Sequence, residues 1–338
     1  MTSPSQLIAT AVAVVAALVV PVGSSASNDK IDGVRAEIKR GTLEVKSGDQ
    51  DNAVALRLKA GDPTRVQVDA GDDGTDDFSF ARSALIAINV KTGDGNDSVR
   101  IDDANGAFTD SIPTTIAGGD GNDTLEGGQV QVAAENETFR GGSGNDLIDG
   151  GKGNDTAHLG AGNDTFRWDN GEGSDVIEGQ DGSDTMVFNG AAIAENVTMT
   201  ANGRRLAFFR VQGNVTMDTE GVEIVEDNTL GGADSVTVND LTGTDVTQTN
   251  LDLAGTLGGS AADGAVDNVV VNGTDGVDTI DIAGSGSGAV VTGLATAVSV
   301  EHPDQTDTLS VNTRAGADNV FVNGAAGVLQ VLVDGAPV

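Results

Sequence analysis

Between Gly141 and Val187 the chain repeats itself: GGSGNDLID, GGKGNDTAH and LGAGNDTFR run back to back, and NGEGSDVIE and GQDGSDTMV follow after a slip of two residues. Aspartate falls at Asp146, Asp155 and Asp164, nine residues apart, and again at Asp175 and Asp184. Glycine at the first, second and fourth positions of a unit permits backbone conformations that a Cβ forbids, so six residues suffice for a tight turn. The residues that follow, as in Asp146-Leu147-Ile148 and Asp175-Val176-Ile177, place an apolar side chain where a short strand points inward. Strands this short cannot bury an apolar face alone, and a fixed period marks units that stack on a common core. Stacked turns then bring carboxylates over one another. Carboxylate and carbonyl oxygens are nearly all the turns offer, a ligand set for a hard divalent cation, calcium first.

These nonads resemble the RTX or haemolysin-type calcium-binding repeat, GGxGxDxUx with U apolar. The resemblance implies an all-β fold, a right-handed parallel β-roll or β-solenoid, here with flanking β-rich coils. Two nonads would make one coil, and several Ca²⁺ ions, roughly three to five, would sit between turns two repeats apart. Asp146 would then pair with Asp164, Asp155 with Asp175, and Asp164 with Asp184. Carbonyls at Gly141, Ser143, Gly150, Lys152, Leu159 and Ala161 fall on the family's remaining ligand positions. Leu159 replaces the first glycine of its unit, Gln180 replaces a second glycine, and the slip at Trp168 and Asp169 breaks the period. The sites are expected to be weakest there. A glycine-rich turn ladder without metal is the competing reading.

The same plan extends beyond the nonads. Gly93-Asp94-Gly95-Asn96-Asp97 precedes Val99 and Ile101, and Gly118-Gly119-Asp120-Gly121-Asn122-Asp123 precedes Leu125, which adds Asp97 and Asp123 to the metal candidates. Their spacing exceeds one coil, so insertions are expected near Asn105 to Ile112 and near Gln131 to Glu137. Gly71 to Asp76 reads as a degenerate repeat turn. After Val187 a longer repeat takes over, with aspartate pairs eleven residues apart at Asp234 and Asp245, Asp267 and Asp278, and Asp307 and Asp318. The glycines are mostly gone from these turns, which read as structural Asx turns. Gly190 to Glu226 reads as a β-rich connector, with Arg204 and Arg205 in a solvated turn. The expected organisation is therefore a signal peptide over 1-26, a β-rich region over 27-92, the calcium-binding roll over 93-190, and solenoid-like repeats over 191-338.

Leu7 to Val20 is apolar apart from Thr10, and Pro21 and the small residues Gly23 to Ala26 follow, the plan of an export signal cleaved after Ala26. Its weak point is the lack of lysine or arginine before the apolar run. A run of this length is short for a bilayer span, so no membrane span is expected after cleavage. A formal charge of -34 repels nucleic acid and anionic membrane surfaces and favours cations as partners. With no cysteine in the chain, bound metal rather than disulfides is left to constrain it.

Other chemistry finds little support. His158 and His302 are the only histidines and no HExxH occurs, which removes a zinc protease signature; no GxSxG elbow or thiol nucleophile exists. Paired glycosidase carboxylates cannot be told from coincidence among 52 acids. Trp168 reads as a packing plug over the coil. The expectation is a secreted, extracellular, non-catalytic protein whose repeats order on calcium, with surface or matrix polymers or its own copies as further partners. The alternative is a secreted calcium-dependent hydrolase with an unrecognised active site.

Overall fold

Apolar and polar residues alternate along segment after segment, and each becomes a short strand with one face inward. Thr165–Trp168 buries Phe166 and Trp168 and turns Thr165 and Arg167 outward, and Val176–Gly182 and Thr185–Asn189 begin in the same way. The computed structural model describes residues 32–130, 136–285, 288–325 and 327–338. The export signal over 1-26 lies outside the described residues.

The described residues form an all-β roll of two sheets, of 15 and 14 strands, with one hydrophobic core between them. Through the centre the chain alternates between sheets. Glu137–Ser143 lies in the first, Leu147–Asp149 in the second, Thr156–Gly162 in the first and Thr165–Trp168 in the second, each paired in parallel with the strand one coil away. Register aligns the inward residues into rows. In the first sheet Val90, Ile116, Phe139, Ala157 and Ile177 follow one another; in the second, Val99, Leu125, Ile148, Phe166 and Met186. Burial of such rows supplies the main drive for stacking.

Antiparallel hairpins cover the N-terminal coil in both sheets: Arg35–Lys39 on Thr42–Lys46 in one, and Ala53–Lys59, Asp62–Ala70 and Phe78–Ala81 in the other. Gly71 to Asp76 belongs to the last of these hairpins, not to a coil turn as its composition suggests. Asp69 accepts the Asp73 and Gly74 N–H groups there, and Asp72 receives the Arg100 guanidinium. The expected insertion at Asn105 to Ile112 is a loop that tucks Phe108 and Ile112 into the core. Of the insertion expected at Gln131 to Glu137, residues 131–135 lie outside the described set, while Glu137 is the first residue of a strand and not part of a loop.

The connector Gly190 to Glu226 contains a three-stranded antiparallel meander, Asn196–Asn202, Arg205–Arg210 and Val215–Glu220, set within the first sheet. Arg204 is exposed, as a solvated turn requires, but Arg205 is not: it pairs with Asp218 at 2.6 Å and Glu178 at 2.8 Å. A second meander, Thr279–Ser285, Gly288–Thr292 and Ala297–Glu301, sits in the other sheet. Trp168 lies fully buried inside the roll, stacked on Phe188 with ring centroids 4.0 Å apart. Among the described residues no helix is long and apolar enough to cross a membrane.

Candidate metal centre

Turns leading from the first sheet to the second stack at one corner of the roll, and those leading back stack at the other. In both, each aspartate at the sixth position of its turn is tied to the turn one coil on. The Asp97 N–H donates to Asp123 Oδ1 at 2.8 Å, Asp123 to Asp146 at 2.8 Å, Asp146 to Asp164 at 2.7 Å and Asp164 to Asp184 at 2.9 Å. Asn52 begins this column by donating to Asp97, and Glu223 ends it by accepting from Asp184. At the other corner Glu137 donates to Asp155 at 2.6 Å and Asp155 to Asp175 at 2.8 Å.

An asparagine ladder runs alongside. The Asn122, Asn145 and Asn163 N–H groups donate to the side-chain oxygens of Asn96, Asn122 and Asn145, and Asn154 donates to Asn136. Both side chains of each Asn-Asp pair thus serve the backbone of a neighbouring coil, which explains why the dipeptide recurs.

One oxygen of each aspartate is thereby used. The other, Oδ2 of Asp97, Asp123, Asp146, Asp155, Asp164, Asp175 and Asp184, is buried with no hydrogen-bond partner among the described residues. A buried carboxylate oxygen without a donor or counter-charge is costly. Burial accordingly pushes the carboxyl of Asp123 up to about 6 and those of Asp146, Asp175 and Asp184 to about 7. Asp97 and Asp164 shift upward for the same reason, and Asp155 rises through burial and then through the adjacent carboxylates of Asp175 and Glu137. The stacked acids cannot all ionise without a cation.

The backbone leaves room beside these oxygens. A Cβ on Gly118, Gly141 or Gly179 would overlap Oδ2 of Asp123, Asp146 or Asp184, respectively. Glycines at the second and fourth positions do a different job. Gly142 and Gly144 have φ of 128° and 127°, and a Cβ there would strike the carbonyl oxygens of Gly119 and Gly121 in the coil before. Carbonyl oxygens of successive turns are therefore packed along the column, next to the carboxylates. Oxygen-only donors, a cradle without side chains and orphaned buried carboxylate oxygens together fit a hard divalent cation.

The candidate carbonyl ligands divide. Ser143 and Ala161 oxygens already accept the Gly121 and Gly144 N–H groups at 2.7 and 2.8 Å, leaving each a second lone pair. Gly150 and Leu159 oxygens point to where a Cβ on Gly127 or Gly141 would be, and the Lys152 N–H donates to Gly128 at 2.6 Å. Gly141 lies against both Asp146 and Leu159. The Leu159 side chain is fully buried, so at Asp164 a core residue stands where the neighbouring turns have glycine. Gln180 keeps a positive φ of 75° without being glycine.

Sequence reasoning missed two members of the columns, Glu137 and Glu223. Neither sits in a glycine turn. Glu137 nevertheless carried a signal, because Asn136-Glu137 copies the Asn-Asp dipeptide eighteen residues before Asp155.

With this geometry in place, comparison with known proteins is direct. The RTX calcium-binding nonapeptide repeat matches in four copies, over residues 114–129, 133–166 and 171–190. The central part of the chain is therefore an RTX calcium-binding β-roll, a kind of repeat that binds Ca²⁺ ions at several turns. Its second matched stretch includes Glu137, and the Asp97 turn lies outside it although its hydrogen bonds place Asp97 in the same column. No curated protein matches the chain.

Proposed function

We propose that this protein is a secreted, non-catalytic calcium binder whose repeat region orders on extracellular calcium, and that it serves as a cell-surface, matrix or adhesion component. The observation that carries this reading is the row of buried, partnerless Oδ2 atoms in the two columns. Asp97, Asp123, Asp146, Asp155, Asp164, Asp175 and Asp184 are the carboxylates that would hold the ions, with carbonyls of the intervening turns beside them. Calcium bound there supplies the positive charge that lets these acids ionise in place, and its binding free energy becomes folding free energy.

Extracellular calcium modules work at dissociation constants of roughly 10⁻⁴ to 10⁻³ M, so ordering after export follows from the difference in calcium across the membrane. A cavity near the C-terminal turns offers little for acid–base chemistry. One surface cavity of about 560 Å³ is lined by alanine, glycine and Thr256, and Asp263, its one ionisable group, is bonded through both oxygens to the Gly232 and Ala265 N–H groups.

Circular dichroism in excess chelator and in millimolar calcium tests the ordering step. Strand signal is expected to rise with calcium, and equal spectra would contradict it. A panel of polysaccharide, ester and peptide substrates, assayed with calcium, is expected to show no turnover; any turnover abolished by chelator would favour the hydrolase reading. Sedimentation with and without calcium measures self-association.

A further inference from the structure

The two-residue slip that breaks the nonad period has chemistry of its own. It lengthens the turn after Trp168 and brings Asp169 and Glu172 over Asp149, the last residue of the first nonad one coil earlier. Asp149, Asp169 and Glu172 each hold a carboxylate oxygen within 4.8 Å of one on the other two. None of the three belongs to the aspartate columns at the corners.

Asp169 and Glu172 are each held by one hydrogen-bond donor, and Asp149 by the Gly151 N–H and the Arg167 guanidinium. Asp149 Oδ1 accepts the Gly151 N–H at 2.9 Å, Asp169 Oδ1 accepts Asn189 Nδ2 at 2.6 Å, and Glu172 Oε2 accepts the Asp169 N–H at 2.7 Å. Glu172 is 6% exposed, and its Oε1 is buried with no partner among the described residues. Arg167 covers part of the charge: its Nε lies 3.0 Å from Asp149 Oδ2 and 3.5 Å from Asp169 Oδ2. When all three are ionised, these carboxylates against the Arg167 guanidinium carry two net negative charges, the amount a divalent cation cancels. Two further cations border the slipped turn. Arg210 pairs with the buried Glu195 and donates to Asn170 Oδ1 at 3.2 Å, and Lys152 Nζ lies beside Gly171 but forms no ion pair with the three acids among the described residues.

We propose that Asp149, Asp169 and Glu172 form an additional calcium site, separate from the turn columns, that clamps the slipped turn to the coil before it. Its oxygen-only ligands match calcium rather than a softer metal. A site here also explains how the roll carries an irregular turn in mid-stack: the ion ties the extra residues to a strand end that the repeat already holds in place.

The test uses the full chain and two variants, Asp169→Asn and Glu172→Gln, which preserve size and keep the bonds from Asn189 and the Asp169 N–H. Equilibrium dialysis counts bound calcium. Terbium, an oxygen-seeking calcium surrogate, is excited through Trp168, the only tryptophan in a chain without tyrosine, and Trp168 adjoins Asp169. Each variant is expected to bind one ion fewer than the parent and to lose at least half of the sensitised terbium emission, with the calcium-loaded circular dichroism unchanged. Parent-like ion counts and emission in both variants would overturn the site. If Glu172→Gln also perturbs folding, Asp169→Asn decides alone, because Asp169 is half-buried and its backbone bonds are untouched. A parent that loses calcium on Asp164→Asn but not on either of these changes refutes this site and leaves the turn columns standing.

Discussion

The central and C-terminal turns build the same ladder but differ in how often protein donors reach its second oxygen. In the C-terminal half the Glu195 N–H donates to Asp234 at 2.7 Å, Asp234 to Asp267 at 2.8 Å and Asp267 to Asp307 at 2.8 Å, a column indistinguishable in its first oxygen from that of Asp97 to Asp184. The second oxygen separates them. Asp307 Oδ2 accepts the Asp304 N–H, both oxygens of Asp278 are held by the Thr274 N–H and hydroxyl, and Glu195 is paired with the buried Arg210. Asp234 is the exception: its Oδ2 is buried with no partner among the described residues, as is that of Asp97 at the start of the central column. Stacked carboxylates thus have two solutions in one chain. Protein donors reach the second oxygen at Glu195, Asp278 and Asp307, whereas through the centre it is orphaned at each turn from Asp97 to Asp184 and left for metal.

The largest expected effect tests the backbone half of this contrast. Gly162→Ala puts a Cβ into the carbonyl oxygen of Gly144 at a φ of 142° and should cost about 3 kcal/mol or more, read from urea unfolding in calcium. Gly324→Ala, at a φ of 71° with open space around it, should cost only about 1 kcal/mol. Equal costs would remove the distinction between packed and open turns.

Next comes the carboxylate half. Asp164→Asn should lower the calcium count and destabilise the loaded protein by about 1.5 to 3 kcal/mol for each ion lost, when calcium is roughly ten to a hundred times Kd. Asp307→Asn should leave the count unchanged and cost about 1 kcal/mol, the scale of one hydrogen bond. Dialysis and thermal unfolding check both.

Protons should act in opposite senses with and without metal. Carboxyls raised in the fold, Asp123 to about 6 and Asp146, Asp175 and Asp184 to about 7, penalise the calcium-free fold as they ionise. Their contribution is most favourable below the unfolded value, near 4, and is lost as pH rises through 6 to 7. Calcium-free protein should therefore gain strand signal on acidification toward pH 5. Calcium-loaded protein should instead bind more weakly there, since protons compete for the same oxygens. Circular dichroism across pH 5 to 8, with chelator and with calcium, checks the crossing.

Smallest is Gln180→Gly. Gln180 holds a positive φ of 75° in a position where the coils before it have Gly142 and Gly160, so removing its side chain should stabilise the roll by about 0.5 to 1 kcal/mol. Thermal unfolding in calcium measures it.

Glycine and aspartate carried most of what the sequence disclosed. Positions where a Cβ would strike a stacked carbonyl must be glycine, so the turns write themselves into the chain, and the pairs Asp146–Asp164, Asp155–Asp175 and Asp164–Asp184, which the RTX resemblance implies, are the ones hydrogen-bonded one coil apart. Glu137 and Glu223 were hidden because a glutamate reaches the same point from a turn of another shape. Arg205 and Arg210 were hidden because their partners come from strands brought near by an antiparallel meander, which has no period to read. The Asp149, Asp169 and Glu172 cluster was hidden in the slip itself, where an irregularity looked like damage to the repeat.

Hydrogen exchange at single-amide resolution, on the intact chain with chelator and with calcium, tests the contrast most directly. The Asp123, Asp146, Asp155 and Asp164 N–H groups are expected to exchange slowly only with calcium, while those of Asp267 and Asp278 stay protected in both conditions. Equal protection of the two sets without calcium would contradict the assignment of the orphaned oxygens to metal.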